Sequence, residues 1–359
     1  MASTKAFPRF PQVRPSLHSE LRRRVSLYFE ENKIRQTGNA NLYWKAAILL
    51  TLFALTVGHL FIFQPHWAIA YSECILLGLL VATIGFNIMH DGSHGSFSTH
   101  QSSNRLASYT MSMLGASRFF WNIKHNVIHH TYTNVDDLDD DIEVGKLMRL
   151  APSQTRLPFH KYQHIYFPAL YMVMYLYWVF AADYKKYFKM KIGEFPITNM
   201  KMSDHFRFWL VKIWHALFFC VLPIYIFGFW PWLLGFIIMS LTAGFCLSIV
   251  FQLAHTVEDT SFPLANEDTN KFDDEFATHQ LKTTANFGTK SKTISWLVGG
   301  LNFQVEHHLF PKISHIHYPG ISKIVRKVCD EYQIKYIEYR TMWSAIMAHI
   351  RFLKAMGRA

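Results

Sequence analysis

The chain has 359 residues, of which 50% are hydrophobic, 16% aromatic and 17% charged, too apolar for an ordinary soluble enzyme and too charged for a bare bundle of membrane spans. Its formal charge of +11 comes with no nucleic-acid recognition motif, and the Lys and Arg stand beside apolar segments as the positive-inside rule expects, so nucleic acid is set aside as a partner. The four cysteines, Cys74, Cys220, Cys246 and Cys329, are far apart and form no C-x-x-C pair, which argues against iron–sulfur clusters, zinc ribbons and a disulfide framework.

Residues 1–43 read as a cytoplasmic, partly interfacial arm. Arg9, Arg14, Arg22, Arg23, Arg24, Lys33 and Arg35 precede the first apolar run, and Pro8, Pro11 and Pro15 break its start. A signal peptide would place its apolar stretch much earlier. Four segments reach the roughly 20 apolar residues that a helix needs to cross a bilayer, at about 44–63, 68–89, 208–227 and 230–250. The links within each pair, 64–67 and 228–231, are short and lack Lys and Arg, which predicts two hairpins turning outside the cytoplasm. Trp67, Trp230 and Trp232 then fall in the outer aromatic belt.

Between the hairpins, 108–121 is short and of mixed polarity, as suits a helix lying in the interface. Segment 165–182 is apolar enough to span. The chain's histidine clusters must meet on one side of the membrane, however, so an even number of crossings separates them and 165–182 is expected to be interfacial or re-entrant. The histidine-rich stretch from His90 to about His160, the basic linker 185–207 and everything beyond His255 are expected on the cytoplasmic side, with 336–359 as a tail. The fold class implied is an all-α integral membrane protein, with four transmembrane helices in two hairpins, interfacial helices and a cytoplasmic helical cap.

Three clusters stand out among the 20 histidines. His90-Asp91-Gly92-Ser93-His94 follows the second span, His125-Asn126-Val127-Ile128-His129-His130 comes next, and Gln304-Val305-Glu306-His307-His308 lies far downstream. Spacings of three and four residues put His90 with His94, His125 with His129, and Gln304 with His307 and His308 on one helical face. Imidazole binds iron, zinc, copper or nickel, but a single zinc needs only three or four ligands and a zinc protease would show H-E-x-x-H. So many clustered histidines point to two neighbouring metals, and oxygen chemistry favours iron. Isolated histidines are usually surface or satisfied core residues, and His18, His59, His100, His160, His164, His205, His215, His279 and His349 are read that way.

In the order H-x3-H, H-x3-HH, Q-x2-HH the sequence resembles the membrane fatty-acid desaturases, in particular their front-end branch. The likeness extends from about residue 40 to 335 and includes Gln252-Leu253-Ala254-His255, where His255 closes the last span. The run from Leu309 to Pro319 is similar to that of bacterial acyl-CoA desaturases of the linoleoyl-CoA type, which implies a multi-pass protein of a bacterial inner membrane with its catalytic face in the cytoplasm. Carried over position by position, the resemblance nominates His90, His94, His125, His129, His130, His255, His307 and His308 as ligands of two iron ions, with O2 as co-substrate. Gln304 stands where other desaturases have histidine and is expected to hold a metal-bound water or leave a position open. Ligating imidazoles usually donate their second N–H to a carboxylate or carbonyl. Asp91, Glu306, Glu258, His315 and the acidic run at 136–141 are therefore candidates beside the metals, with Asn302 as a further candidate for bonding a metal-bound water.

No heme-binding His-Pro-Gly-Gly is present in this sequence, so electrons are expected from a separate ferredoxin, or from cytochrome b5 with its reductase. The expected substrate is an acyl-CoA or a membrane lipid acyl chain, already unsaturated. Removal of hydrogen from an unactivated CH2 lies beyond general-base or nucleophilic catalysis. Hydroxylation would use the same ligands. A metal transporter would instead line its spans with histidines or carboxylates, whereas here they gather beyond the span ends.

Overall fold

The structure is a computed structural model that describes residues 7–359. Ten helices build and support the histidine-bearing region: α1 (Leu17–Glu31), α2 (Ala40–Phe63), α3 (Trp67–His94), α4 (Pro158–Lys189), α5 (Met202–Phe227), α6 (Phe229–His255), α7 (Phe276–Thr283), α8 (Gln304–Leu309), α9 (Tyr318–Glu331) and α10 (Met342–Met356). Among the described residues five helices, α2 to α6, are long and apolar enough to cross a membrane, one more than the four spans expected from sequence.

Both expected hairpins form. At the end of α2 Gln64 adopts a left-handed conformation with φ 43°, its N–H returns to the Leu60 carbonyl, and Pro65 stops the helix. Gly228 with φ 81° reverses the chain between α5 and α6, and the Trp232 indole N–H donates to the Phe219 carbonyl at 2.7 Å. Half of the apolar window of α6 is buried against 17% of that of α5, so α6 is the axis of the bundle and α5 its rim. Small residues let backbones approach α6 closely: a Cβ at Gly78 would lie 2.5 Å from the Met239 carbonyl oxygen, and one at Gly244 would lie 2.1 Å from that of Met172. The outer faces carry exposed apolar side chains such as Leu55, Ile62, Leu210 and Tyr225, a surface suited to lipid.

The additional long helix, α4, packs across α6 near Gly244 and Ser248, and both of its ends are tied to the half of the molecule that bears the histidines. At one end Gln163 donates to the carbonyls of Arg149 (3.0 Å) and Leu353 (2.9 Å). At the other, Lys186 pairs with Asp140 at 2.7 Å, within the acidic run that meets the second histidine cluster.

Segment 108–121 is not one interfacial helix. Gly115, with φ 88°, separates short helices at Thr110–Met113 and Arg118–Trp121, and the turn inserts between α4 and α5. There the Leu114 carbonyl accepts from the Tyr175 hydroxyl (2.8 Å) and the Gly115 carbonyl from the Lys212 ammonium (2.9 Å).

The ends of the chain are better packed than expected. Leu17, Leu21, Val25 and Phe29 recur every fourth residue along α1 and bury against Ile321, Val325 and Val328 of α9. Residues 336–359, expected as a tail, supply a strand, Glu338–Tyr339, that pairs in parallel with Asn286–Phe287, and then α10. Ala345, Ala348, Phe352 and Leu353 form one buried stripe on α10, whose apolar face is what draws it into the fold.

Candidate metal centre

The three clusters and the end of α6 converge. His90 and His94 occupy the last turn of α3, His255 is the final residue of α6, and His307 and His308 lie on α8. His125 and His129 sit in a π-helix, Asn122–His129, whose closing bond runs from the His130 N–H to the His125 carbonyl. In an α-helix His130 would point roughly 140° away from His125. Closing the turn at the fifth residue swings it back beneath that ring, with ring centroids 4.8 Å apart.

The nitrogens of His90, His94, His125 and His307 all lie within 4.8 Å of one another, as do those of His129, His255 and His308, and His130 joins His307 and His308 in a third such group. All eight nominated histidines are therefore together. Seven are buried and His94 is half-buried. Among the described residues Nε2 of His94, His129 and His307 and both ring nitrogens of His130 have no hydrogen-bond partner. The Nε2 atoms of His90 and His125 face each other at 3.2 Å. Buried nitrogens left unpaired are costly, and lone pairs converging on shared points fit bound cations.

Hydrogen bonds on the opposite ring edges fix which nitrogen is free. Nδ1–H of His255 donates to the Thr283 carbonyl (3.2 Å), and Nδ1–H of His129 donates to Asp139 (3.1 and 3.0 Å). Gln280 gives its amide N–H to the His130 carbonyl, which turns its oxygen toward His308 Nδ1 at 2.8 Å. His307 Nδ1 meets the Tyr318 hydroxyl at 3.1 Å. Carbonyl and carboxylate oxygens only accept, so Nδ1 of His129, His255 and His308 carries the proton and Nε2 keeps its lone pair. Burial, reinforced by neighbouring imidazoles, holds the pKa values of His125, His130, His307 and His308 well below the ordinary histidine value, in the neutral form a metal requires. At His129 burial is outweighed by Asp139 and Asp141, which raise its pKa.

Gln304 closes the three-histidine group where a fourth histidine would stand. Its Nε2 lies 3.0 Å from His255 Nε2 and 3.5 Å from His308 Nε2, and its Oε1 has no partner among the described residues.

Several residues expected beside the metals face elsewhere. The Asp91 carboxylate pairs with His315 Nδ1 (3.0 Å) and Ser314 Oγ (2.6 Å), and His315 Nε2 meets Lys45 (3.4 Å), so Asp91 and His315 engage each other rather than a ligand imidazole. Glu306 accepts from Asn286 and Tyr336, both at 2.8 Å, and burial pushes its pKa up to about 7. Asn302 donates to Ser295 Oγ at 3.0 Å, and Glu258 pairs with Arg351 on the surface. In the acidic run, Asp139 and Asp141 reach His129, Asp140 pairs with lysines, and Asp136 binds the Ser153 hydroxyl and the Gln154 amide. The orienting groups Gln280, Thr283 and Tyr318 are not singled out by the sequence reading. Only Tyr318 lies inside a motif, the run after the third cluster.

Against the same face of the bundle, an apolar cavity of about 30 Å³ touches His90 and is walled by Phe86, Met89, Met111, Trp121, Trp178 and Phe251, among others. Trp121 stacks on His125 with centroids 4.3 Å apart, so the aromatic wall and the histidines share a boundary.

Residues 65–340 match the family described as fatty acid desaturase. The chain is 36% identical to an sn-1 linoleoyl-lipid 6-desaturase of Arthrospira platensis, over 94% of this chain and 92% of that protein. An sn-1 linoleoyl-lipid 6-desaturase of Synechocystis is 33% identical, over 94% and 95% respectively. An acyl-lipid (8-3)-desaturase of Physcomitrium patens is also 33% identical, over 94% of this chain and 71% of its own length.

Proposed function

The chain belongs to the fatty acid desaturase family, and from that premise we propose that it inserts a double bond between an existing one and the carboxyl end of a lipid-linked acyl chain. The observation that carries this reading is the joint one of eight converging histidines, with Gln304 completing the second group, and relatives that act on linoleoyl lipids and other acyl-lipids. An acyl-lipid is thereby favoured over acyl-CoA as substrate.

In this reading His90, His94, His125 and His307 hold one iron, His129, His255 and His308 the other, and His130 stands between them. Bound iron supplies what these side chains lack, the reduction of O2 coupled to removal of hydrogen from an unactivated CH2. The chain's own part is positional. Asp139, Gln280, Thr283 and Tyr318 lock the imidazoles, and the cavity beside His90 offers an apolar, water-poor wall for the acyl chain. Gln304, a neutral amide in place of an imidazole, leaves the second group one strong ligand short of the first.

The test is expression in a host without its own desaturase, feeding linoleate and stearate separately and locating the double bonds in extracted lipids by mass spectrometry. Linoleoyl lipid is expected to gain a double bond on the carboxyl side of the existing ones. Strong conversion of stearate alone, at mid-chain carbons, would remove the protein from the front-end class.

We further propose four crossings, α2, α3, α5 and α6, with α4 lying against the bundle without traversing the membrane, since both of its ends are bonded to the histidine-bearing half. The four native cysteines are half-buried or buried, so cysteines introduced at exposed positions can be read against them. Cysteines at Lys146 and Lys292 are expected to label from the cytoplasm, and those at Gln64 and Trp230 from outside. Labelling of positions 146 and 292 from opposite sides would make α4 a fifth span.

A further inference from the structure

His349 lies on α10, well outside the three clusters, and is wholly buried. Its Nδ1 is 2.6 Å from the carbonyl oxygen of Thr256, the residue directly after His255, and its Nε2 is 2.8 Å from the Tyr171 hydroxyl on α4. A carbonyl only accepts, so Nδ1 carries the proton and Nε2 receives the tyrosine O–H. Burial lowers the pKa of this imidazole to about 4, which keeps it neutral and keeps that arrangement of protons.

The last carbonyls of a helix have no donors from within it. At Thr256 the chain leaves helical geometry, with φ −117° and ψ 60°, so the next turn does not hold the final residue of α6 in place. Neighbours do so instead. Asn134 and Thr260 donate to the His255 carbonyl at 2.8 and 2.7 Å, and the His255 ring is tied to Thr283. The next peptide along is held by His349, which itself rests on Tyr171, and Tyr171 belongs to the stretch of α4 fixed against α6 by the close approach at Gly244.

We infer that His349 is a positioning residue for the second metal group, acting through the Thr256 carbonyl to set where His255 presents its Nε2. The inference rests on the dinuclear reading of the histidines. It makes α10 part of the metal centre's support, and it predicts an effect on one metal only, because His90, His94, His125 and His307 share no bond with this brace.

The experiment is stepwise loading of the metal-free, full-length protein with Co(II) alone, followed by visible absorption, together with its thermal transition in detergent. Wild type should load two ions per chain. His349→Ala should weaken the second step about tenfold, the lower end of what loss of a ligand's hydrogen-bonded support costs, and leave the first unchanged. His349→Asn, whose amide N–H can replace Nδ1–H, should recover most of the loss. Phe352→Ala, on the same helix and buried without a bond to Thr256, should lower the thermal transition and leave both loading steps as they are. A wild-type second step in His349→Ala, or an equal loss in Phe352→Ala, would overturn the inference. Should His349→Ala fail to fold, Tyr171→Phe decides, since an unchanged second step in it also overturns the inference. Wild type that loads a single ion would instead overturn the dinuclear reading.

Discussion

In the proposed dinuclear centre, replacing His308 with alanine is expected to cost the protein one of two metal ions per chain and at least about a thousandfold in turnover, equivalent to about 4 kcal/mol of barrier. His308 is 1% exposed, belongs to the group with His129 and His255, and faces His130 and Gln304 as well. Alanine offers no donor atom, and Gln304, already the weakest ligand type present, is in no position to compensate. Elemental analysis of the purified protein, run beside product analysis, checks both halves of the expectation. His160→Ala is the control: His160 is equally buried but is satisfied by the Lys146 carbonyl and the Leu157 N–H, so its loss should lower stability and leave metal content alone. Full metal content and activity in His308→Ala would remove the three-histidine group from the centre.

The second large effect is expected at Asp139, a residue that would touch no metal. Its carboxylate is fully buried, accepts from His129 Nδ1 and is itself held by the backbone N–H groups of Asn134 (2.9 Å) and Asp141 (3.1 Å). Asp139→Ala leaves the His129 Nδ1–H with Asp141 alone at 3.2 Å, removes the nearer charge that strengthens its Nε2 as a donor and leaves the buried Asn134 N–H and the half-buried Asp141 N–H unpaired, so metal affinity should fall by about a hundredfold. Asp139→Asn keeps an oxygen acceptor without the charge and should fall by only about tenfold. Competition against a chelator of known affinity measures both. Equal affinities for wild type and Asp139→Ala would mean that Asp139 is not the group that orients His129.

The sequence made the histidines legible because helical spacing is a local property: a cluster that repeats at three or four residues declares its common face whatever the rest of the chain does. It made the hairpins legible for a similar reason, since Pro65 and Gly228 punctuate long apolar runs. The partners of the imidazoles were much less visible. Asp91 and Glu306 adjoin His90 and His307 in sequence, but the fold gives them other partners, His315 and Ser314 for Asp91 and Asn286 and Tyr336 for Glu306. Asp139, ten residues beyond His129, returns to it because Asp137, with φ 65°, bends the acidic run back. Gln280 and Thr283 arrive from α7, which packs against α8 through tertiary contacts that no short motif records. The C-terminal helix was legible in its apolar stripe, but its role depends on where that stripe docks. The extra long helix α4 shows the limit of hydropathy: composition tells that a segment tolerates lipid and not whether it crosses the membrane.

The winding of the second cluster also changes how its motif should be read. On α8 the ordinary helical turn brings Gln304, His307 and His308 together with two residues between the glutamine and the pair. In the π-helix a wider turn brings His125, His129 and His130 together with three residues in the gap. Two different linear spacings therefore both bring their members to the centre, because the additional residue is absorbed by the pitch of the backbone. A periodicity search tuned to α-helices would discard His130 as outward-facing. Residue count and helical pitch are interchangeable here, and an insertion in such a motif need not displace a ligand when the backbone can unwind by the same amount.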